Sequence, residues 1–263
     1  MKVITLVENT SHRKDLIAQH GLSLYIETKQ HRILFDAGQS DAFAKNAEKL
    51  SVDLSQVDFA VLSHGHYDHG GGIKRFLELN DHAPVYMSTH AFGPHYNGSD
   101  KYIGLDPDLM GSSRLRFISE TVSLHDGIKL HCCETAQSPY PVNPFGLKRL
   151  EKGTFQDEDF RHEIYMTLEE KGNTILFSGC SHRGILNITN WFQPDVCFGG
   201  FHFSKLETVG PDADVLDHAA KTLLQWPTLF YTGHCTGQRQ YEYLKTIMGD
   251  RLHSLSCGVE IEL

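Results

Sequence analysis

The chain is 263 residues long, 40% hydrophobic, 22% charged and 10% aromatic. Those proportions exclude a disordered tail and a coiled coil, and the length supports a large core without disulfide staples. A formal charge of −9 argues against a general basic surface for nucleic acid, and no apolar run approaches the ~20 residues that cross a bilayer.

Residues 2–8 alternate weakly as a strand. The N-terminus lacks the long apolar stretch of a signal peptide, so the expected compartment is the cytoplasm. Residues 22–28 and 32–36 read as a hairpin broken by Lys29, Gln30 and His31. A Ser or Asp cap, then Phe43, Ala44, Ala47 and Leu50 on one face, predicts a helix over 40–50. An apolar β run follows at 57–63. Ile73, Phe76 and Leu77 make 72–79 an amphipathic helix, and 84–88 is a further strand. The stretch 93–115, rich in Gly, Pro, Asp and Ser, is expected to be an irregular excursion over the site. Strand signals return over 116–134, with a turn at Asp126-Gly127. A second irregular stretch, 136–158, contains Pro139, Pro141 and Pro144. A hairpin of 162–168 and 173–178 turns at Lys171-Gly172. Helices are expected at 184–192, 212–225 and 238–248, and strands at 195–198, 228–231 and 258–263. Strands then helix, repeated twice without a linker, predict an α/β layered protein with one domain over 1–263.

Residues 63–72 read Ser-His64-Gly-His66-Tyr-Asp68-His69-Gly-Gly-Gly. His64 and His66, two apart in an extended turn, can address one cation. Asp68 and His69 can address a second, ~3.5–4 Å away. The glycines let the backbone pass close to the ions, and the following helix start favours an anionic substrate group. Tyr67 stands at the mouth by its position, either as a substrate contact or as packing. The six cysteines include no CxxC pair, which removes a zinc ribbon and a thioredoxin site. Cys132, Cys133, Cys197 and Cys257 read as core residues. No GxSxG, Walker loop or GxGxxG occurs, so serine hydrolase, P-loop and Rossmann readings lack support.

The segment SHGHYDHGGG resembles the HxHxDH signature of the metallo-β-lactamase superfamily. Leu34-Phe35-Asp36-Ala37-Gly38 is similar to that family's first strand and turn. Leu176–Cys180 and Thr232–Cys235 stand where later family motifs are expected. The resemblance runs from about residue 3 to the end and implies an αββα sandwich with metals at one edge. Segments 179–187, 199–202 and 233–237 resemble the branch of 7,8-dihydropterin-6-methyl-4-(β-D-ribofuranosyl)aminobenzene 5'-phosphate synthase-like proteins.

The resemblance implies His64, His66, Asp68, His69 and His234 as metal ligands. It puts Cys180 where the bridging Asp of most members stands. Cys180 or His182, or both, complete the site, with core packing as the alternative for Cys180 and a hydrogen-bonded turn residue as that for His182. His162 is the other position at which a third His would be sought. His202 is placed near the metals, as a surrounding residue or a proton donor, with a purely structural histidine as the alternative. The other histidines read as ordinary; His90 and His95 are singled out because their loop could cover the site.

Two divalent ions are implied, and a thiolate ligand favours zinc, or iron, over hard cations such as magnesium or manganese. Such a pair would hold a hydroxide for attack on a carbonyl or a phosphorus, with Asp68 orienting it and His202 assisting the leaving group. The expected function is a metal-dependent hydrolase or transferase acting on a small phosphorylated or pyrophosphorylated, pterin-like substrate. The alternatives are an RNA or DNA phosphodiesterase of the same fold, and a non-hydrolytic iron-binding redox or metabolite-binding member. The expected partner is a small molecule, not nucleic acid or membrane, and an oligomer stays open.

Overall fold

A computed structural model of the chain describes residues 1–125 and 127–263; Asp126, half of the expected Asp126-Gly127 turn, lies outside the described residues. Two seven-stranded sheets form the centre. The first has the order Glu260–Glu262, Lys2–Val7, Ser23–Glu27, Arg32–Phe35, Phe59–Val61, Val85–Ser88 and Leu115–Ile118. Its pairings are antiparallel as far as Arg32–Phe35 and parallel beyond. The second has the order Leu252–Ser254, Leu229–Thr232, Val196–Phe198, Asn173–Phe177, Ile164–Glu170, Ile128–Cys132 and Val122–His125. It is parallel as far as Asn173–Phe177 and antiparallel beyond. The strand Leu252–Ser254 has no counterpart in the sequence expectations.

Central strands here read as near-continuous apolar runs because both of their faces are covered. Ile33 and Phe35 join Met166, Phe177 and Phe198 in the core between the sheets. Leu34 points to the opposite face, into a cluster with Phe43 of helix Ala42–Lys49 and Phe76 of helix Ile73–Leu79. On the far side Tyr165, Leu176 and Phe230 lie under helices Ile185–Phe192, Pro211–Leu223 and Gln238–Met248. The result is the expected αββα sandwich.

The two stretches expected to be irregular are partly ordered. Thr154–Asp157, Leu147–Glu151, His95–Asn97 and Lys101–Tyr102 form a separate four-stranded sheet in that order. A small cluster of Ile103, Leu147 and Phe160, with Tyr67 against it, fastens this sheet beside the histidine motif. Cys197 and Cys257 are buried as expected, but Cys132 and Cys133 are only half-buried. No helix of the described residues is long and apolar enough to cross a membrane.

The candidate ligands gather where open α/β sheets usually place a site, beyond the carboxyl ends of parallel strands. Asp36 and His64 to His69 follow Arg32–Phe35 and Phe59–Val61 of the first sheet. Cys180, His182, His202 and His234 follow Asn173–Phe177, Val196–Phe198 and Leu229–Thr232 of the second.

Candidate metal centre

Ser63 anchors the histidine segment. Its N–H and its hydroxyl both donate to the Asp36 carboxylate, each at 2.7 Å. Position 65 admits only glycine, because a Cβ there would lie 1.9 Å from the Ala91 carbonyl oxygen. His66 is extended, and Tyr67–Gly70 then makes one helical turn that carries Asp68 and His69 away from it. The Gly70-Gly71-Gly72 run lets the next helix begin against the Ala37 carbonyl, which a Cβ on Gly72 would approach to 2.2 Å.

Two groups of donors result. His64, His66 and His182 offer ring nitrogens within 4.8 Å of one another. The second group joins Asp68, His69 and His234: His234 Nε2 lies 3.2 Å from His69 Nε2 and 3.2 Å from Asp68 Oδ2. Cys180 stands between them, 3.1 Å from His69 Nε2, and also groups with His64, with His182 and His202, and with His234 and Cys235. The structure therefore brings together all seven metal-ligand candidates, and His162 groups with His66 and His95 at their edge.

The hydrogen-bond pattern assigns the tautomers. Ser63 spends its proton on Asp36, so His64 Nδ1 donates to Ser63 Oγ at 2.8 Å and His64 Nε2 carries a lone pair. His69 Nδ1 donates to Asp36 at 2.7 Å, and His234 Nδ1 donates to Asn9 Oδ1 at 2.9 Å. Their Nε2 atoms are lone pairs too, and they face each other; His64 Nε2 likewise faces His182 Nε2 at 3.2 Å. Opposed lone pairs at such spacing repel unless a cation lies among them. The donors thus fit a metal, and a set of imidazoles, one carboxylate and one thiol suits a borderline-soft ion such as zinc or iron.

The titration behaviour agrees at His64 and His182, while at His69 the carboxylates favour a proton that a bound cation would displace. Burial, then the neighbouring rings, holds His64 and His182 well below the ordinary imidazole value. Burial opposes charge on His69 as well, but Asp36 and Asp68 outweigh it and raise its pKa. Burial would raise Asp68, yet His69, His20 and His234 pull it well below the ordinary carboxyl range. Burial, then Cys235, pushes the Cys180 thiol well above its usual value, so a thiolate there needs a cation beside it.

The supporting residues come from far along the chain. Glu8 accepts the His234 N–H at 2.6 Å. The buried carboxylate of Glu163 accepts the N–H groups of His182 (2.7 Å) and Arg183 (3.1 Å) and so fixes the turn that presents His182. His202 lies 4.2 Å from His182, ring to ring. Tyr67 lines the cleft of about 390 Å³ over the donors, together with Lys101 and Lys205.

At His162, the position left open for a third histidine, Nδ1 accepts the Gly65 N–H at 2.9 Å, which puts its proton on Nε2, the atom within ligand reach of His66 and His95. His95 stacks on it at 3.9 Å and donates through Nδ1 to Glu158 at 2.7 Å. The Nε2 atoms of His66, His95 and His162 are all buried without a hydrogen-bond partner among the described residues. His20, read as ordinary, lies 3.2 Å from Asp68 Oδ2. Cys235 is within ligand reach of Cys180 and His234. His90 instead pairs with Glu134 at the surface. The signal for Cys235 was available, since it adjoins His234; nothing local marks His20 or Glu158.

A model of the metallo-beta-lactamase superfamily matches residues 17–167. An uncharacterized protein of Methanocaldococcus jannaschii is 31% identical over 242 residues, covering 88% of this chain and 89% of that protein. The 7,8-dihydropterin-6-methyl-4-(beta-D-ribofuranosyl)-aminobenzene-5'-phosphate synthase of the same organism is 27% identical over 264 residues, covering 90% of this chain and 88% of that protein. A solved metal-dependent hydrolase of the beta-lactamase superfamily superposes with a TM-score of 0.82 at 26% identity, covering 100% of this chain and 99% of that one. Sequence match, sandwich and converging donors agree: the chain belongs to the metallo-beta-lactamase superfamily.

Proposed function

We propose that the protein is a metal-dependent hydrolase or transferase acting on a small phosphorylated or pyrophosphorylated, pterin-like substrate. The observation that carries this reading is the meeting of seven donor side chains from both sheets beneath a cleft that also presents Lys101 and Lys205. His64, His66 and His182 would hold one divalent ion, and Asp68, His69 and His234 a second, with Cys180 within ligand reach of both groups. Zinc is the proposed metal. Such ions supply Lewis acidity, activating water and neutralising negative charge.

The chain's own residues do the rest. Lys101, over the Tyr67 ring, and Lys205, bonded to the Phe145 carbonyl, line the cleft and would attract an anionic substrate group. Asp68, fixed against His20 and His234, orients the attacking group. His202 holds a proton for the leaving group. Tyr67, packed beneath Lys101, forms one wall against the substrate. The synthase among the relatives carries a dihydropterin, an aminobenzene and a ribofuranosyl 5'-phosphate in its name, which supports a phosphorylated ring-bearing substrate. The net charge of −9 favours a small molecule over nucleic acid.

The test is metal analysis of protein purified without added ions, with phosphate monoesters, diesters, pyrophosphates and lactones assayed with and without chelator. The expected result is about two zinc per chain and chelator-sensitive turnover of a phosphate or pyrophosphate ester. Absence of bound metal, or turnover indifferent to chelation, overturns the reading.

A further inference from the structure

Beside the metal cleft lies a second cavity of about 600 Å³, within the size range of small-molecule sites. Its walls are Tyr140, Phe145, Phe201 and Phe203, with Ile185 and Leu186 from helix Ile185–Phe192. The two spaces meet at His182 and His202, which line both. Nδ1 of each of these rings is buried and has no hydrogen-bond partner among the described residues. Two polar atoms of the shared wall thus stand unsatisfied within the described residues.

The two ends differ in charge. The metal cleft presents Lys101 and Lys205. The cavity presents the carboxylates of Asp212 and Asp214, and no lysine or arginine is among its described lining residues. A ligand anionic throughout would be repelled from the cavity. A small aliphatic phosphate would leave the aromatic walls in water.

We infer that this cavity binds a flat, uncharged aromatic or heteroaromatic group of the substrate, while the substrate's anionic end lies in the metal cleft. Aromatic walls give such a ring offset-stacked and edge contacts, and the carboxylates favour a ring carrying N–H groups over one carrying acid groups. The assignment of the anionic end rests on the proposed phosphate chemistry; the assignment of the cavity does not.

Binding rather than turnover tests this. The probes are 1-naphthyl phosphate, methyl phosphate and 1-naphthol, titrated calorimetrically into the zinc-loaded protein. 1-Naphthyl phosphate should bind at least about tenfold tighter than methyl phosphate. Leu186→Trp, which fills the cavity, and Phe145→Ala, which removes a wall, should each abolish most of that ratio and leave methyl phosphate affinity unchanged. Melting curves identify a variant that fails to fold, and the other variant then decides. Equal affinities of the wild type for the two phosphates overturn the inference, as does a ratio that survives both substitutions. Binding of 1-naphthol alone, lost in Leu186→Trp, supports the cavity and overturns the phosphate reading. Binding of methyl phosphate with no gain from the naphthyl group does the reverse.

Discussion

Three hydrogens converge on the carboxylate of Asp36: those of the Ser63 N–H, the Ser63 hydroxyl and His69 Nδ1. Through them Asp36 fixes the tautomers of His64 and His69, one from each donor group. Asp36→Asn isolates this role, because the backbone at 36 is left-handed (φ 59°) and Asn accepts that conformation readily. The amide would turn a donor toward donors. Zinc affinity should fall about 10–100-fold, read by competition with a chromophoric chelator; unchanged affinity would remove Asp36 from the centre. Cys180 invites a different substitution. Cys180→Asp replaces a soft donor with a hard one. In cobalt-loaded protein the thiolate-to-metal charge-transfer band should vanish in the variant. A band that persists unchanged would return Cys180 to the role of a buried core residue.

The element that holds the histidine motif was legible because its logic is local. An apolar strand, ligands two and three residues apart, and three glycines all fall within residues 57–72. The sheet carrying His95 and Lys101 was not legible, since its strands are two to five residues long and Thr154–Asp157 is exposed throughout. Short strands with wet faces have no apolar alternation to read. His95 reaches His66 only through pairing with Arg149, and Glu163 reaches His182 only by folding of the second sheet. The strand Ile128–Cys132 carries another consequence of layering. His131 faces helix Ile185–Phe192, with the Phe192 ring at 4.9 Å, and bonds Thr167 Oγ1 at 2.8 Å. Burial, then Lys129, lowers its pKa from 6.5 to about 4. A histidine with a depressed folded value binds fewer protons folded than unfolded. Its contribution is therefore complete above pH 6.5 and lost as the pH falls toward 4. Partial exposure limits the effect to about 1–2 kcal/mol. Urea unfolding at pH 7 and pH 4.5 should show His131→Gln losing less stability on acidification than the wild type; equal losses would refute the assignment.

At the scale of the whole molecule, the centre joins the two sheets. Asp36, His64, His66, Asp68 and His69 hang from the first, and Cys180, His182 and His234 from the second. The sandwich core of Phe35, Met166, Phe177 and Phe198 holds the sheets together without them. The loops have only small local packing, such as Tyr67 against Ile103, Leu147 and Phe160. Without a cation the opposed Nε2 lone pairs of His64 and His182 push the two sets apart. A ligand that binds only the folded state stabilises it in proportion to the logarithm of its excess over Kd. Dialysis against a chelator should therefore lower Tm by about 5–10 °C, and readdition of zinc should restore it. Amide exchange should accelerate over 63–72, 178–184 and 233–237 while the strands Arg32–Phe35 and Ile164–Glu170 keep their protection. The pattern separates this account from general destabilisation, which would speed exchange in strands and loops together. Identical melting and exchange with and without chelator would mean that these side chains hold no ion.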